Sequence, residues 1–263
     1  MVKKLILLTG LLWGIQISNA ETLSLVADKW CPYNCAPTEQ HPGFMIEIAQ
    51  RVFAKHDIAV NYYLVPWSRA LHGVEQGQFD AAVGAARVEA PTLIYPGIEQ
   101  GWMQNALWTL PERSFNYLGP PSLNDRVLGY TDGYSYGPAL DRYIANPNGQ
   151  ARLQAFFGSS PLADAVKMLQ AGRIDVLVED ANVLGFFLKS RQQPPLANVG
   201  KVISNAERQQ VYIAFSPELP EAEQYARWLA EGTQTLRRSG ELADILRHYG
   251  LRDWREAQSV SDY

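Results

Sequence analysis

The chain has 263 residues, 47% hydrophobic and 19% charged, with 23 basic against 27 acidic side chains and a formal charge of −4. That apolar content suffices for one or two cored domains and excludes a disordered, collagen-like or coiled-coil chain. The basic residues are scattered, so the electrostatic footprint of a nucleic-acid binder is missing and no nucleic-acid partner is expected.

Lys3 and Lys4 precede an apolar stretch from Leu5 to Ile17, and Ser18-Asn19-Ala20 sets small residues before Glu21. This is the pattern of a secretory signal peptide, and the stretch is shorter than the roughly 20 residues a spanning helix needs. Cleavage after Ala20 is expected, and no cysteine follows it to carry a lipid anchor. A periplasmic product fits this pattern. Leu23 to Ala27 reads as a first strand. Next come Cys31 and Cys35, bracketing Pro32-Tyr33-Asn34. In an oxidising compartment two close cysteines in a Pro-containing loop usually pair. A metal site would need two further ligands, and His41, His56, His72 and His248 show no ligand spacing. The expectation is a disulfide that fixes one loop, with no metal and no cofactor.

Pro42 to Lys55 predicts a helix with Met45, Ile48, Ala49 and Val52 on one face, and Ala59 to Leu64 a second strand. A short amphipathic helix from Ser68 then stops at Gly77 and leads into an apolar run through Gly84. The plan recurs ninety-five residues later. Leu162, Ala165, Val166 and Leu169 stand at helical spacing, Gly172 is the stop, and Ile174 to Val178 is the apolar run. The shared core is Gly-x-[Phe/Ile]-Asp-x-x-Val. Continuous apolar runs after helices read as strands buried on both faces, the mark of a parallel sheet flanked by helices. Two such units, with Val127 to Tyr130 opening the second, predict two α/β lobes.

Val211 to Phe215 is a further strand, and the helices after it, through Tyr225, Leu229, Leu236 and then Leu242, Ile245, Leu246, have no sheet of their own. The chain is therefore expected to cross back. Lobe 1 would comprise 21–110 plus 209–255 and lobe 2 would comprise 111–208, with crossings near 107–114 and 206–212 and a polar tail at 256–263. Hinged α/β lobes close around small ligands.

Gly43-Phe44-Met45-Ile46-Glu47-Ile48-Ala49, Trp67 before Ala70-Leu71, Gly77-Gln78-Phe79-Asp80 and Gly172-Arg-Ile-Asp175-Val-Leu-Val-Glu-Asp180 resemble the bacterial solute-binding proteins of family 3. The resemblance runs in order from about residue 22 to 250. It implies two Rossmann-like lobes of the type II periplasmic-binding-protein fold and a small polar or zwitterionic ligand, amino-acid-like or an amine. It also implies an ABC permease partner and a monomeric chain. A few proteins of the family are cyclohexadienyl dehydratases, in which Glu179 or Asp180 would be the proton donor, and others hand ligand occupancy to a membrane sensor.

Carried over residue by residue, the resemblance places Asp28 and Asp180 where carboxylates hold a ligand amine. Both also stand where a helix N-cap is favoured, so ligand contact and cap are equally open. Ser135 in Asp132-Gly133-Tyr134-Ser135-Tyr136 corresponds to a segment that accepts a carboxylate, with Tyr134 replacing one hydroxyl residue. The family's carboxylate-binding arginine is displaced: Gly84-Ala-Ala-Arg87-Val-Glu89-Ala90-Pro91 has Pro91 at or near its place. Arg87, four residues earlier, is either a cleft guanidinium or a solvated loop charge. Trp30, Tyr33 and Trp67 either line the cleft, where a ring stacks on a flat or cationic ligand, or pack into the core. Alternation at a strand end predicts that only one of Glu179 and Asp180 faces the ligand.

Overall fold

The structure, a computed structural model, describes residues 21–145, 152–202 and 209–256. The expected signal peptide and nearly all of the expected tail lie outside the described residues. The chain forms two five-stranded sheets. In the first half come β1 (Glu21–Ala27), α1 (Phe44–Phe53), β2 (Ile58–Leu64), α2 (Trp67–Glu75), β3 (Ala81–Ala85) and β4 (Gly101–Met103). Then follow β5 (Asn105–Thr109), β6 (Val127–Thr131), α3 (Pro138–Ile144), β7 (Arg152–Phe156), α4 (Pro161–Gln170), β8 (Val176–Asp180), α5 (Ala181–Ser190) and β9 (Ala197–Lys201). The chain ends in β10 (Gln209–Phe215), α6 (Ala222–Ser239) and α7 (Glu241–His248).

The sheets run β2-β1-β3-β10-β4 and β7-β6-β8-β5-β9. In each, three strands joined through helices are parallel, the fourth (β10 or β5) is antiparallel to them, and the fifth (β4 or β9) is antiparallel to the fourth. The sheets are therefore mixed rather than wholly parallel, because β5 and β10 are each contributed by chain that has just crossed from the other lobe. Their positions match one for one, so the two lobes are copies of one plan with one strand exchanged.

The sequence repeat now has a physical cause. Gly77 and Gly172 take φ of +68° and +66°, the left-handed turn that ends each helix without a Cβ clash. The Asp that follows pins its strand to the first strand of its lobe. Asp80 Oδ2 accepts from the Ser24 N–H at 2.6 Å and from the Ser24 hydroxyl, and Asp175 Oδ2 accepts from the Val127 N–H at 2.8 Å. Each sheet carries apolar packing on both faces. In lobe 1, α1, α6 and α7 cover one face through Ile48, Val52, Leu229, Leu236 and Ile245, and α2 covers the other around Ala70, Val74 and the Ala-rich β3. In lobe 2, α3 and the segment around Leu123 cover one face and α4 with α5 the other.

The first passage between lobes is Gln104 alone, between β4 in one sheet and β5 in the other. It precedes the expected crossing at 107–114, so Asn105–Thr109 belongs to the second sheet. Strand β9 of the second sheet ends at Lys201 and β10 of the first begins at Gln209, and the part of the expected return at 206–212 that precedes β10 lies outside the described residues. Among the described residues no helix is long and apolar enough to cross a membrane.

Candidate functional site

A cleft lies between the carboxyl ends of the parallel strands of both sheets, where open α/β sheets hold ligands. Lobe 1 supplies the segments after β1 and β3, and lobe 2 those after β6 and β8. A cavity of about 30 Å³, room for a water molecule or two, is lined by Asp28, Trp30, Trp67, Glu89, Tyr134 and Ser135, with Gly84, Val83 and Met103. None of these side chains is basic.

The disulfide between Cys31 and Cys35 closes a five-residue loop with Cα atoms 4.6 Å apart. The loop is tied internally by the Trp30 N–H to the Asn34 carbonyl at 2.8 Å and by the Asn34 side-chain amide to the Asp28 carbonyl at 2.6 Å. It also serves α1. The carbonyls of Pro32 and Tyr33 accept the N–H groups of Phe44 and Met45, which a helix N-terminus otherwise leaves unpaired. This contact demands Gly43: at φ +114° a Cβ there would lie 2.4 Å from the Tyr33 carbonyl oxygen. Trp30 and Tyr33 are thereby stacked, ring centroids 4.1 Å apart, and both are buried.

Side-chain contacts hold the lobes against one another, among them a bond from the Tyr33 hydroxyl to Asp180 at 3.3 Å. The Tyr134 hydroxyl donates to Asp28, the Ser135 N–H donates to Glu89 at 3.1 Å, Trp30 Nε1 donates to Glu179 at 3.3 Å and the Asn182 amide donates to the Tyr33 hydroxyl at 3.0 Å. Loss of water inside the closed cleft dominates its electrostatics, because burial disfavours charged carboxylates. It raises Asp28 to about 6, against the opposing bond from Tyr134, and Glu89 to about 7. Glu179 is raised to about 8, with the neighbouring Asp180 charge adding to the effect, and Asp180 to about 6. Asp180 stays the lower of the pair because N–H groups of Gln104, Asn182 and Val183 all donate to it.

None of the curated proteins matches the chain in sequence. Residues 24–90 match the bacterial extracellular solute-binding proteins, family 3. The match and the architecture agree with the resemblance in the sequence, and the fold is the type II periplasmic-binding-protein fold. Solved structures cover nearly all of it at low identity. A histidine kinase sensor domain with similarity to periplasmic binding proteins is 19% identical with a TM-score of 0.70, over 87% of this chain and 96% of that one. A Streptococcus mutans structure described for glutathione import via GshT and the cystine ABC importer TcyBC is 16% identical with a TM-score of 0.73, over 87% and 94%. The amino-acid ABC transporter substrate-binding protein AbpA of Streptococcus pneumoniae, bound to L-arginine, is 14% identical with a TM-score of 0.67, over 88% and 95%.

Within this fold, Asp28, Trp30, Trp67, Tyr134 and Ser135 meet at the cleft cavity. Trp30 and Trp67 are also well buried, so lining and packing are one role here. Tyr33 lies behind Trp30. Asp180 does not line the cavity: it is the N-cap of α5, and its other oxygen holds the Gln104 N–H at the passage between lobes. Arg87 is a correction to the expected site. Its guanidinium lies outside the cleft, 4.6 Å and 4.9 Å from the ring centroids of Tyr95 and Tyr212, and donates to the Pro96 carbonyl at 3.1 Å. The turn after β3 sends residue 87 outward and residue 89 inward. Glu89 is thus the cleft residue of that segment, visible in the sequence only as an acid left without the family's arginine. The Ser135 hydroxyl is likewise engaged, donating to Asp141 at 2.7 Å.

Proposed function

We propose that this chain is a periplasmic solute-binding protein that captures a small cationic, amine-bearing ligand of amino-acid-like size between its lobes and presents it to an ABC permease. The observation that carries this reading is Glu89. A carboxylate-bearing ligand would need the Ser135 N–H that Glu89 already accepts from, and among the lining residues no arginine or lysine compensates. An ammonium or guanidinium group instead meets Asp28 and Glu89 and the faces of Trp30, Trp67 and Tyr134, a setting for charge pairing and cation–π contact. Binding without turnover belongs to the same reading.

Isothermal titration at pH 7.5 tests the ligand class. Agmatine, putrescine or choline should bind at least as tightly as L-arginine, and L-glutamate should not bind. Preferential binding of L-glutamate or of a neutral amino acid would overturn the cation reading. Prephenate should be recovered unchanged after incubation, and its conversion would establish an enzyme instead. Deleting the gene should abolish uptake of the bound amine. Intact uptake with loss of a transcriptional response to that amine would replace import by sensing.

A further inference from the structure

A second site lies on lobe 1, away from the cleft and sharing no residue with it. His41, in the segment before α1, Glu47, in the first turn of α1, and His248, the last residue of α7, bring one ligand atom each to within 4.8 Å of one another. His41 Nδ1 is 3.2 Å from Glu47 Oε1 and His248 Nδ1 is 3.8 Å from Glu47 Oε2, so each imidazole addresses its own carboxylate oxygen. The two rings lie 4.3 Å apart between centroids at a tilt of 31°.

We infer that His41, Glu47 and His248 form a surface site for a divalent transition-metal cation of the imidazole-favouring class, Zn²⁺, Cu²⁺ or Ni²⁺. Two imidazoles and one carboxylate are a donor set for these ions. Around a tetrahedral ion with ligand bonds of ~2.0–2.1 Å, ligand atoms stand about 3.3 Å apart. The separations of His41 and His248 from Glu47, 3.2 Å and 3.8 Å, lie near that spacing, and His248 is the exposed member of the set. Glu47 is buried and oriented from behind: the Tyr249 hydroxyl donates to its Oε1 at 2.6 Å, and the Gly43 N–H holds that hydroxyl at 2.8 Å. A fixed carboxylate with an outer hydrogen-bond partner is how metal ligands are aimed.

The test uses tag-free full-length protein freed of metal with a chelator, titrated with ZnCl₂ by calorimetry and followed by thermal unfolding. Wild type should bind one Zn²⁺ and gain several degrees in midpoint under excess metal. His41→Ala and His248→Ala, both at accessible positions, should each weaken binding at least tenfold, and His72→Ala, an exposed histidine elsewhere, should behave as wild type. Absence of zinc binding in wild type, or binding by His41→Ala and His248→Ala equal to wild type, would overturn the assignment.

Discussion

Replacing Glu179 by Gln isolates the electrostatics of the closed cleft. Glu179 is 2% exposed, and its Oε1 accepts both the Asp180 N–H at 2.8 Å and Trp30 Nε1 at 3.3 Å. The glutamine oxygen can take both bonds, and its NH₂ stands where the protonated carboxyl carries its hydrogen. Packing is therefore kept while titration is removed. In the folded protein Glu179 holds its proton to about 8, against 4.5 for an ordinary glutamate. Between those values the folded state binds one proton more than the unfolded chain, so stability is fully present below pH 4.5 and is lost as pH rises towards 8. From pH 5 to pH 8 this one group withdraws about 3 kcal/mol. Asp28, Glu89 and Asp180, also raised by burial, add losses of the same sign in both proteins, and the repulsion Glu179 shares with Asp180 and Asp28 goes with its charge and counts in the same direction as its own loss. Urea unfolding of ligand-free wild type and Glu179→Gln at pH 5 and pH 8 measures it. Wild type should lose about 3 kcal/mol more than the variant over this range, with equal m-values. Parallel losses in the two proteins would show that Glu179 ionises normally and that the cleft is not the dry, acid-lined closure described above.

Asp28→Asn should weaken amine binding roughly 10–100-fold by calorimetry with the unfolding midpoint little changed, since a charged partner is lost from the cleft. Wild-type affinity for the amine should itself rise from pH 5 to pH 8, because Asp28, Glu89 and Glu179 gain their charges across that range. Arg87→Ala should leave that affinity within twofold and cost about 0.5–1 kcal/mol in urea unfolding, the worth of its exposed stacking on Tyr95 and Tyr212. Gly43→Ala should destabilise by more than about 2 kcal/mol, since a Cβ at that positive φ strikes the Tyr33 carbonyl. The Cys31→Ser, Cys35→Ser double variant should lose ligand affinity to a greater degree than stability, because closing so short a loop is worth at most about 2 kcal/mol.

The parts of this structure legible in the sequence are those set by local chemistry. The helix–Gly–Asp–strand unit announces itself twice because Gly77 and Gly172 need the same left-handed turn and Asp80 and Asp175 make the same bond to a first-strand N–H. The apolar stripe of α1 and the unpartnered final helices likewise point to one lobe that leaves and returns. Strands β4, β5, β7 and β9 escape notice because they are short and carry no strong alternation, and with them goes the position of the passage at Gln104. At the site, residue type was informative and direction was not. Arg87 and Glu89 lie two apart on one turn and point to opposite sides, and Glu179 and Asp180 are neighbours of which one meets Trp30 and the other caps α5. His41 and His248 stand more than two hundred residues apart, so no spacing rule joins them to Glu47.

The acids of the cleft and its closure are two aspects of one design. Three of the bonds between the lobes end on acids: Trp30 donates to Glu179, Tyr134 donates to Asp28, and the Ser135 N–H donates to Glu89. Each of these bonds joins one lobe to the other, and two of them use the Asp28 and Glu89 carboxyls that line the cavity a cation would enter. An entering ammonium group therefore competes with these bonds, and keeps the lobes together by bridging the same carboxyls from within. A ligand carrying its own carboxylate would have to displace Glu89 from Ser135 and then lie beside Asp28 and Glu89 with no positive side chain to screen them. Discrimination between the two classes thus comes less from a fitted pocket than from the cost of crowding negative charge into a site already dehydrated.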